Sequence, residues 1–208
     1  PVDDHEYWSC LTAVKMQERL AELREKWQEE GDRWPEIVHN MQNRIGINTG
    51  KLVTGNMGST MRMNYTMMGD TVNLAARLEA SAKQYGIYIQ VAKETYAACK
   101  DKFIWRDLDY VIVMGKTEPA QVFELISEEQ NMPPGYDKLL PAYDEALKLY
   151  RNQDWVKAID AFKASDELED MFPGRKTNPS RIYIPRCEHY RDNPPGDDWD
   201  GSWSLTKK

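Results

Sequence analysis

Apolar residues recur at helical spacing from Glu6 to Glu30, where Met16, Leu20, Leu23 and Trp27 make a stripe against charged Glu18, Arg19, Glu22, Arg24 and Lys26. The pattern predicts a helix packed on a sheet, stopped at Gly31-Asp32. Strands are expected at about Arg44 to Thr49 and Lys51 to Thr54, with the turn at Gly50. Met61, Met63, Tyr65 and Met67 then alternate with Arg62, Asn64 and Thr66. That period of two predicts a strand with one buried face and sets Thr66 on the other. After Gly69 the period lengthens: Asn73, Arg77 and Ser81 share a helical face, flanked by apolar Val72, Ala75, Ala76 and Ala82. Ile87, Ile89 and Val91 read as a further strand, Lys93 to Lys100 as a short helix, and Ile104 to Met114 with Gln121 to Ile126 as a hairpin. Strands alternating with helices before a late hairpin indicate α/β or α+β architecture.

Met132-Pro133-Pro134-Gly135 reads as a linker. Beyond it, Leu140, Tyr143, Leu147 and Tyr150 form one helical stripe and Trp155, Ala158, Ile159 and Phe162 another, separated by Asn152-Gln153-Asp154. The pair resembles one tetratricopeptide unit without the usual turn glycine. A single unit cannot bury its apolar face alone, so it is expected to dock on the rest of the chain, on a partner or on its copy in a dimer. Structural support is favoured over peptide recognition, because solenoid binding surfaces come from several stacked repeats. The tail from Pro173 is rich in Pro, Gly and Asp but carries Tyr183, Tyr190, Trp199 and Trp203. Such aromatics argue against pure disorder. A short helix interrupted at Pro185 is expected over Arg181 to Tyr190, with Trp199 and Trp203 anchoring the end.

A chain of 208 residues can bury a real core. Its net charge of -7 argues against nucleic acid, whose binding leaves a basic footprint. Cys10, Cys99 and Cys187 lie far apart with no CxxC spacing, which suggests neither a disulfide framework nor a zinc site and fits a reducing cytosol. No stretch approaches the roughly 20 apolar residues of a membrane span. On spacing alone, Asn73 and Arg77 are what any solvated helix face offers. An amide and a guanidinium one turn apart can nevertheless grip one anion, because the planar arginine fork presents paired, charge-assisted hydrogen bonds.

The string Tyr65-Thr66-Met67-Met68-Gly69-Asp70-Thr71-Val72-Asn73, with Arg77 four residues on, closely resembles the signature of the class III adenylate and guanylate cyclase catalytic domains. Upstream, Arg44-Ile45-Gly46-Ile47-Asn48-Thr49-Gly50 and Gly55-Asn56-Met57-Gly58-Ser59 resemble that family's preceding strand and turn. Downstream, Val113 to Pro119 and Val122-Phe123-Glu124-Leu125 resemble its closing hairpin. The resemblance implies a ferredoxin-like α+β sandwich and a homodimer with sites at the interface. It assigns Asn73 to orienting the ribose, Arg77 to the charge on the α-phosphate, and Thr66 to selecting the base, with threonine favouring ATP over GTP. Lys116 is the expected polyphosphate contact, although Met114 stands where the family's closing motif usually has another lysine.

The family's two metal-binding aspartates find no counterpart, since Asp3 and Asp4 fall at a helix start. The ligands for Mg2+ or Mn2+ are therefore expected upstream of Pro1, and this chain alone is expected to be inactive. The division expected is a cyclase part over 1–127, a linker over 128–137, a helical hairpin over 138–172 and a tail over 173–208, as in some bacterial adenylate cyclases. The reading is an adenylate cyclase making cyclic AMP and pyrophosphate from ATP, cytoplasmic or on the cytoplasmic side of a membrane-anchored parent. A guanylate cyclase, a catalytically silent regulatory module and a scaffold built on the helical hairpin are the rival readings.

Overall fold

The computed structural model describes residues 2–112, 119–170 and 175–203. Its centre is a four-stranded mixed sheet in the order β1 (Ile45–Ile47), β4 (Ile89–Ala92), β6 (Pro119–Glu128), β5 (Phe103–Ile112). β1 runs parallel to β4, and the other pairs are antiparallel. On one face, Cys10, Ala13 and Val14 of α1 (His5–Glu29) and Cys99 of α4 (Lys93–Cys99) pack on Ile89, Val91 and Leu125. On the other, Leu74, Leu78, Ala82 and Tyr85 of α3 (Asp70–Tyr85) pack on Leu108, Val111 and Val122. Covered on both sides, β4 is buried at all four positions rather than alternating. This is the expected α+β class.

Several local expectations are corrected by the tertiary structure. The buried stripe of α1 is Cys10, Ala13 and Val14, small residues that let the helix lie close on the sheet. Met16 is exposed, and Trp27 beyond the sheet edge meets Trp34 at 6.0 Å. In α3 the buried line is Leu74, Leu78, Ala82 and Tyr85, while Ala76 is exposed. No hairpin forms at Gly50: β1 pairs with β4, and the strand after Gly50 is β2 (Val53–Ser59), which pairs with β3 (Arg62–Met68). An alternating pattern marks a strand without naming its partner.

The β2–β3 ribbon forms a separate two-stranded sheet, and the expected buried face of β3 is exposed: Met61 is 97% and Tyr65 74% accessible. The period of two is real, but among the described residues no layer covers it. α3, by contrast, is tightly seated. A β-carbon at Gly46 of β1 would stand 2.1 Å from the Ala75 carbonyl oxygen and 2.5 Å from the Glu79 backbone nitrogen. Glycine there lets strand and helix approach closely.

Past the sheet, α5 (Tyr136–Arg151), α6 (Trp155–Asp166) and α7 (Pro179–Asp192) share a core that includes Tyr143, Leu147, Tyr150, Phe162, Tyr183 and Cys187. α7 supplies the cover that a lone helical hairpin lacks. It also starts earlier than the sequence suggests and runs unbroken through Pro185. A proline removes one backbone donor, but buried Tyr183, Arg186 and Cys187 on both sides hold this helix together. Asn178 caps its start by accepting from Arg181 N at 3.0 Å. The chain then returns to the sheet, with Trp203 bridging to Val111 and Trp199 lying against Tyr150 and Trp155.

Candidate active site

The chain passes from β3 to α3 at Gly69, whose carbonyl accepts from Val72 N at 3.1 Å and Asn73 N at 3.2 Å. Asn48, just after β1, donates through Nδ2 to the Thr71 carbonyl at 3.0 Å and ties that strand to the first turn of α3. Asn73 and Arg77 therefore stand one turn apart on an exposed face of a helix whose next residues, Leu74 and Leu78, are buried. Ser81 does not continue that face: its hydroxyl reaches β4 and bonds Gln90 Oε1 at 3.1 Å. Thr66 is exposed on β3 opposite Gly55, three residues before the handover. Lys116 lies outside the described residues.

An amide and a guanidinium held at this spacing by the helix can orient a polar ligand and hold an anion by paired hydrogen bonds. Among the described residues, no group of three or more His, Cys, Asp or Glu side chains could hold a metal ion. The residues here thus fit the anion-gripping part of a phosphoryl-transfer site.

The far end of α3 is held by charges that periodicity does not reveal. Tyr85 donates its hydroxyl to Asp109 Oδ2 at 2.5 Å, and Arg186 of α7 donates to the same oxygen at 2.6 Å. A bulge in β5, where Leu108 is the extra residue between Asp107 and Asp109, lets Leu108 and Asp109 both reach this helical layer. Burial raises the Tyr85 phenol pKa well above its ordinary value, with Asp109 adding to the rise. Burial would by itself lower the pKa of Arg186, but Asp109 and two tyrosines outweigh it and leave it raised.

A second buried network centres on Arg106, whose Nε donates to Glu124 Oε2 at 2.7 Å and whose Nη1 donates to Glu169. Glu169 also accepts from Arg175 at 3.0 Å. The available sequence signal was the run Arg106, Asp107 and Asp109 inside an otherwise apolar strand pattern. Charges placed inward on a strand demand partners, though not from where.

A mixed sheet with a strand–glycine–helix handover, bearing Asn and Arg one turn apart, agrees with the resemblance to the nucleotide cyclases. Residues 1–126 match the family described as the adenylate and guanylate cyclase catalytic domain, and the chain belongs to that family. It is 35% identical over 152 residues to "Adenylate cyclase, terminal-differentiation specific" of Dictyostelium discoideum, covering 71% of this chain and 7% of that protein. It is 34% identical over 128 residues to "Adenylate cyclase 1" of Rhizobium meliloti, covering 61% of this chain and 18% of that one. Among solved structures, the adenylyl cyclase CyaB from P. aeruginosa aligns at 31% identity over 58% of each chain, with a TM-score of 0.46. The chain thus spans under a fifth of the two curated relatives. Class III cyclases generally use divalent metals. Among the described residues no helix is long and apolar enough to cross a membrane.

Proposed function

We propose that this chain carries the base-selecting and transition-state residues of an adenylate cyclase, which closes ATP to cyclic AMP. The observation that carries this reading is the exposed Asn73–Arg77 pair on a helix locked at both ends, with Thr66 exposed on the strand that leads into it. In the reaction the ribose 3′-oxygen gives up its proton to solvent and forms a bond to the α-phosphorus. The bond from that phosphorus to the β-phosphate bridging oxygen breaks, and pyrophosphate leaves. Negative charge grows on the α-phosphoryl oxygens, where the Arg77 guanidinium stabilises it. Asn73 holds the ribose so that the 3′-oxygen is aligned. Thr66, able to donate and to accept, meets the edge of the base. Lys116 is proposed to add charge against the polyphosphate.

A divalent cation, when bound, makes the 3′-oxygen a better nucleophile and neutralises phosphate charge. Carboxylates other than a cluster of the described residues, among which no group of three or more His, Cys, Asp or Glu stands together, are proposed to hold it. The purified chain with ATP and Mn2+ is accordingly expected to form no cyclic AMP above background. Substantial product would overturn that division of the site. In the full-length protein, competition of ATP against GTP tests the base assignment, and preferential consumption of GTP would reassign Thr66 to guanine.

The site is proposed to form between two copies of the domain. An isolated two-stranded ribbon is marginal in water, yet β2–β3 exposes Met63, Tyr65 and Met67 on one face, with Met61 at the turn, and Val53 and Met68 on the other. So much exposed apolar surface on one ribbon marks an interface. The double variant Met63→Lys/Met67→Lys is expected to sediment as a monomer at concentrations where the parent chain is a dimer. A dimer unaffected by these charges would place the interface elsewhere.

A further inference from the structure

A partly enclosed cavity of about 190 Å³ lies where the end of α3, the start of β4 and the stretch 175–177 meet. Arg44, Lys83, Arg175 and Lys176 line it, with Tyr88 beside them, and no described lining residue is a carboxylate. Carboxylates just outside answer two of these charges: Glu79 lies 3.5 Å from Arg44 Nε, and Glu169 3.0 Å from Arg175. Lys83 and Lys176 are exposed and leave a surplus of two positive charges in a protein of net charge -7. The carbonyl end of α3 contributes about half a negative charge. Arg175 Nε offsets part of it by bonding the Gly86 carbonyl at 2.9 Å.

The walls are preorganised. Gly86 has φ +64°, and a β-carbon there would fall 2.0 Å from the Thr177 carbonyl oxygen. Glycine thus lets 175–177 settle against the helix end. The Arg175 side chain is only 4% exposed and is fixed by Glu169 and by the Asp170 carbonyl at 2.7 Å. Burial raises the Tyr88 phenol pKa, while Arg24, Arg175 and Arg44 pull it down, so three guanidiniums act on one hydroxyl. The volume is below the roughly 300 to 1,000 Å³ of sites for drug-sized ligands and several times the roughly 30 Å³ of a water molecule. The volume suits a group the size of phosphate.

We propose that this cavity binds a small divalent oxyanion, inorganic phosphate or the phosphate of a monoester, between Lys83 and Lys176 and against Arg44 and Arg175. Bound there, the anion fastens the stretch 175–177 to the end of the helix that carries Asn73 and Arg77. At 1.5 Å per residue the cavity lies about 20 Å along α3 from Asn73, so it is not part of the nucleotide site, and the proposal does not rest on the adenylate cyclase reading.

The test follows backbone amide NMR shifts of the full chain as inorganic phosphate replaces chloride at constant ionic strength. Saturable shifts are expected at Gly86, Tyr88, Lys176 and Thr177. Lys83→Glu/Lys176→Glu should weaken them by roughly tenfold or more, since each lysine offers a charge-assisted bond. Lys83→Gln/Lys176→Gln, which adds no repulsion, should weaken them less, and Arg77→Ala should leave them unchanged. Glycerol phosphate should reproduce the pattern if a monoester is accommodated, and phosphate alone should produce it if only the free ion is. Shifts that never saturate, that survive both double variants, or that disappear with Arg77→Ala would overturn the proposal.

Discussion

Arg106→Ala is expected to cost about 3 to 5 kcal/mol of folding stability, the usual result of removing one partner from a buried ion pair. For a chain of this length that corresponds to a fall in Tm of roughly 6 to 20 °C. Arg106 is fully buried, its guanidinium 5.1 Å from the Tyr143 ring centre and bonded to both Glu124 and Glu169. Burial by itself would lower its pKa, but the two carboxylates more than offset this and leave it raised. With Arg175 the network balances two cations against two carboxylates. Alanine at 106 leaves one buried negative charge uncompensated and opens a cavity beside Tyr143.

The control is Arg106→Met/Glu124→Leu, which removes a cation and an anion together and leaves the Glu169–Arg175 pair standing. Apolar replacement of a buried ion pair is often neutral or stabilising, so the double variant should regain most of the loss. Urea denaturation of the three proteins checks this. A single-variant loss below about 1 kcal/mol, the scale of an exposed ion pair, would show that the network is solvated and does not hold the C-terminal helices to the sheet.

In the full-length protein, Arg77→Ala is expected to lower kcat for cyclic AMP formation by about a hundredfold to a thousandfold, with a much smaller change in KM. Charge on the α-phosphoryl oxygens grows towards the transition state, so a cation aimed at them acts more strongly there than on bound ATP. Lysine at 77 should restore only part of the rate, because a point charge lacks the paired donors of the guanidinium. The fold should be little affected, since Arg77 is exposed and surface replacements usually change stability by no more than about 0.5 kcal/mol. Cyclic AMP production at saturating ATP and Mn2+, with thermal unfolding run alongside, separates the two effects. A rate loss of only a few fold would assign the charge stabilisation to another group, with Lys116 the next to test.

The parts of this protein legible in one dimension are those written in short stretches. The Gly69 handover, the i, i+4 spacing of Asn73 and Arg77, the hairpin of β5 and β6, and the helices on either side of Asn152-Gln153-Asp154 all follow from patterns a few residues long. Their geometry is set by backbone periodicity and by glycine, which act locally. The ordered motifs in turn were enough to point to the cyclase family.

What only the tertiary structure decided is which side of each pattern is covered. Met61, Met63, Tyr65 and Met67 alternate as a buried strand would, yet they face outward, because burial depends on a second layer and none is described over that ribbon. β4 has no exposed face because helices close on it from both sides. The charge networks are the extreme case: Arg106 meets Glu169 across 63 residues and Asp109 meets Arg186 across 77. A charged residue inside a strand pattern announces that it needs a partner, since an unpaired buried charge is too costly to leave. The identity of that partner is fixed by packing in three dimensions, as is the meeting of Arg44, Lys83, Arg175 and Lys176 around one cavity, and no local rule carries that information.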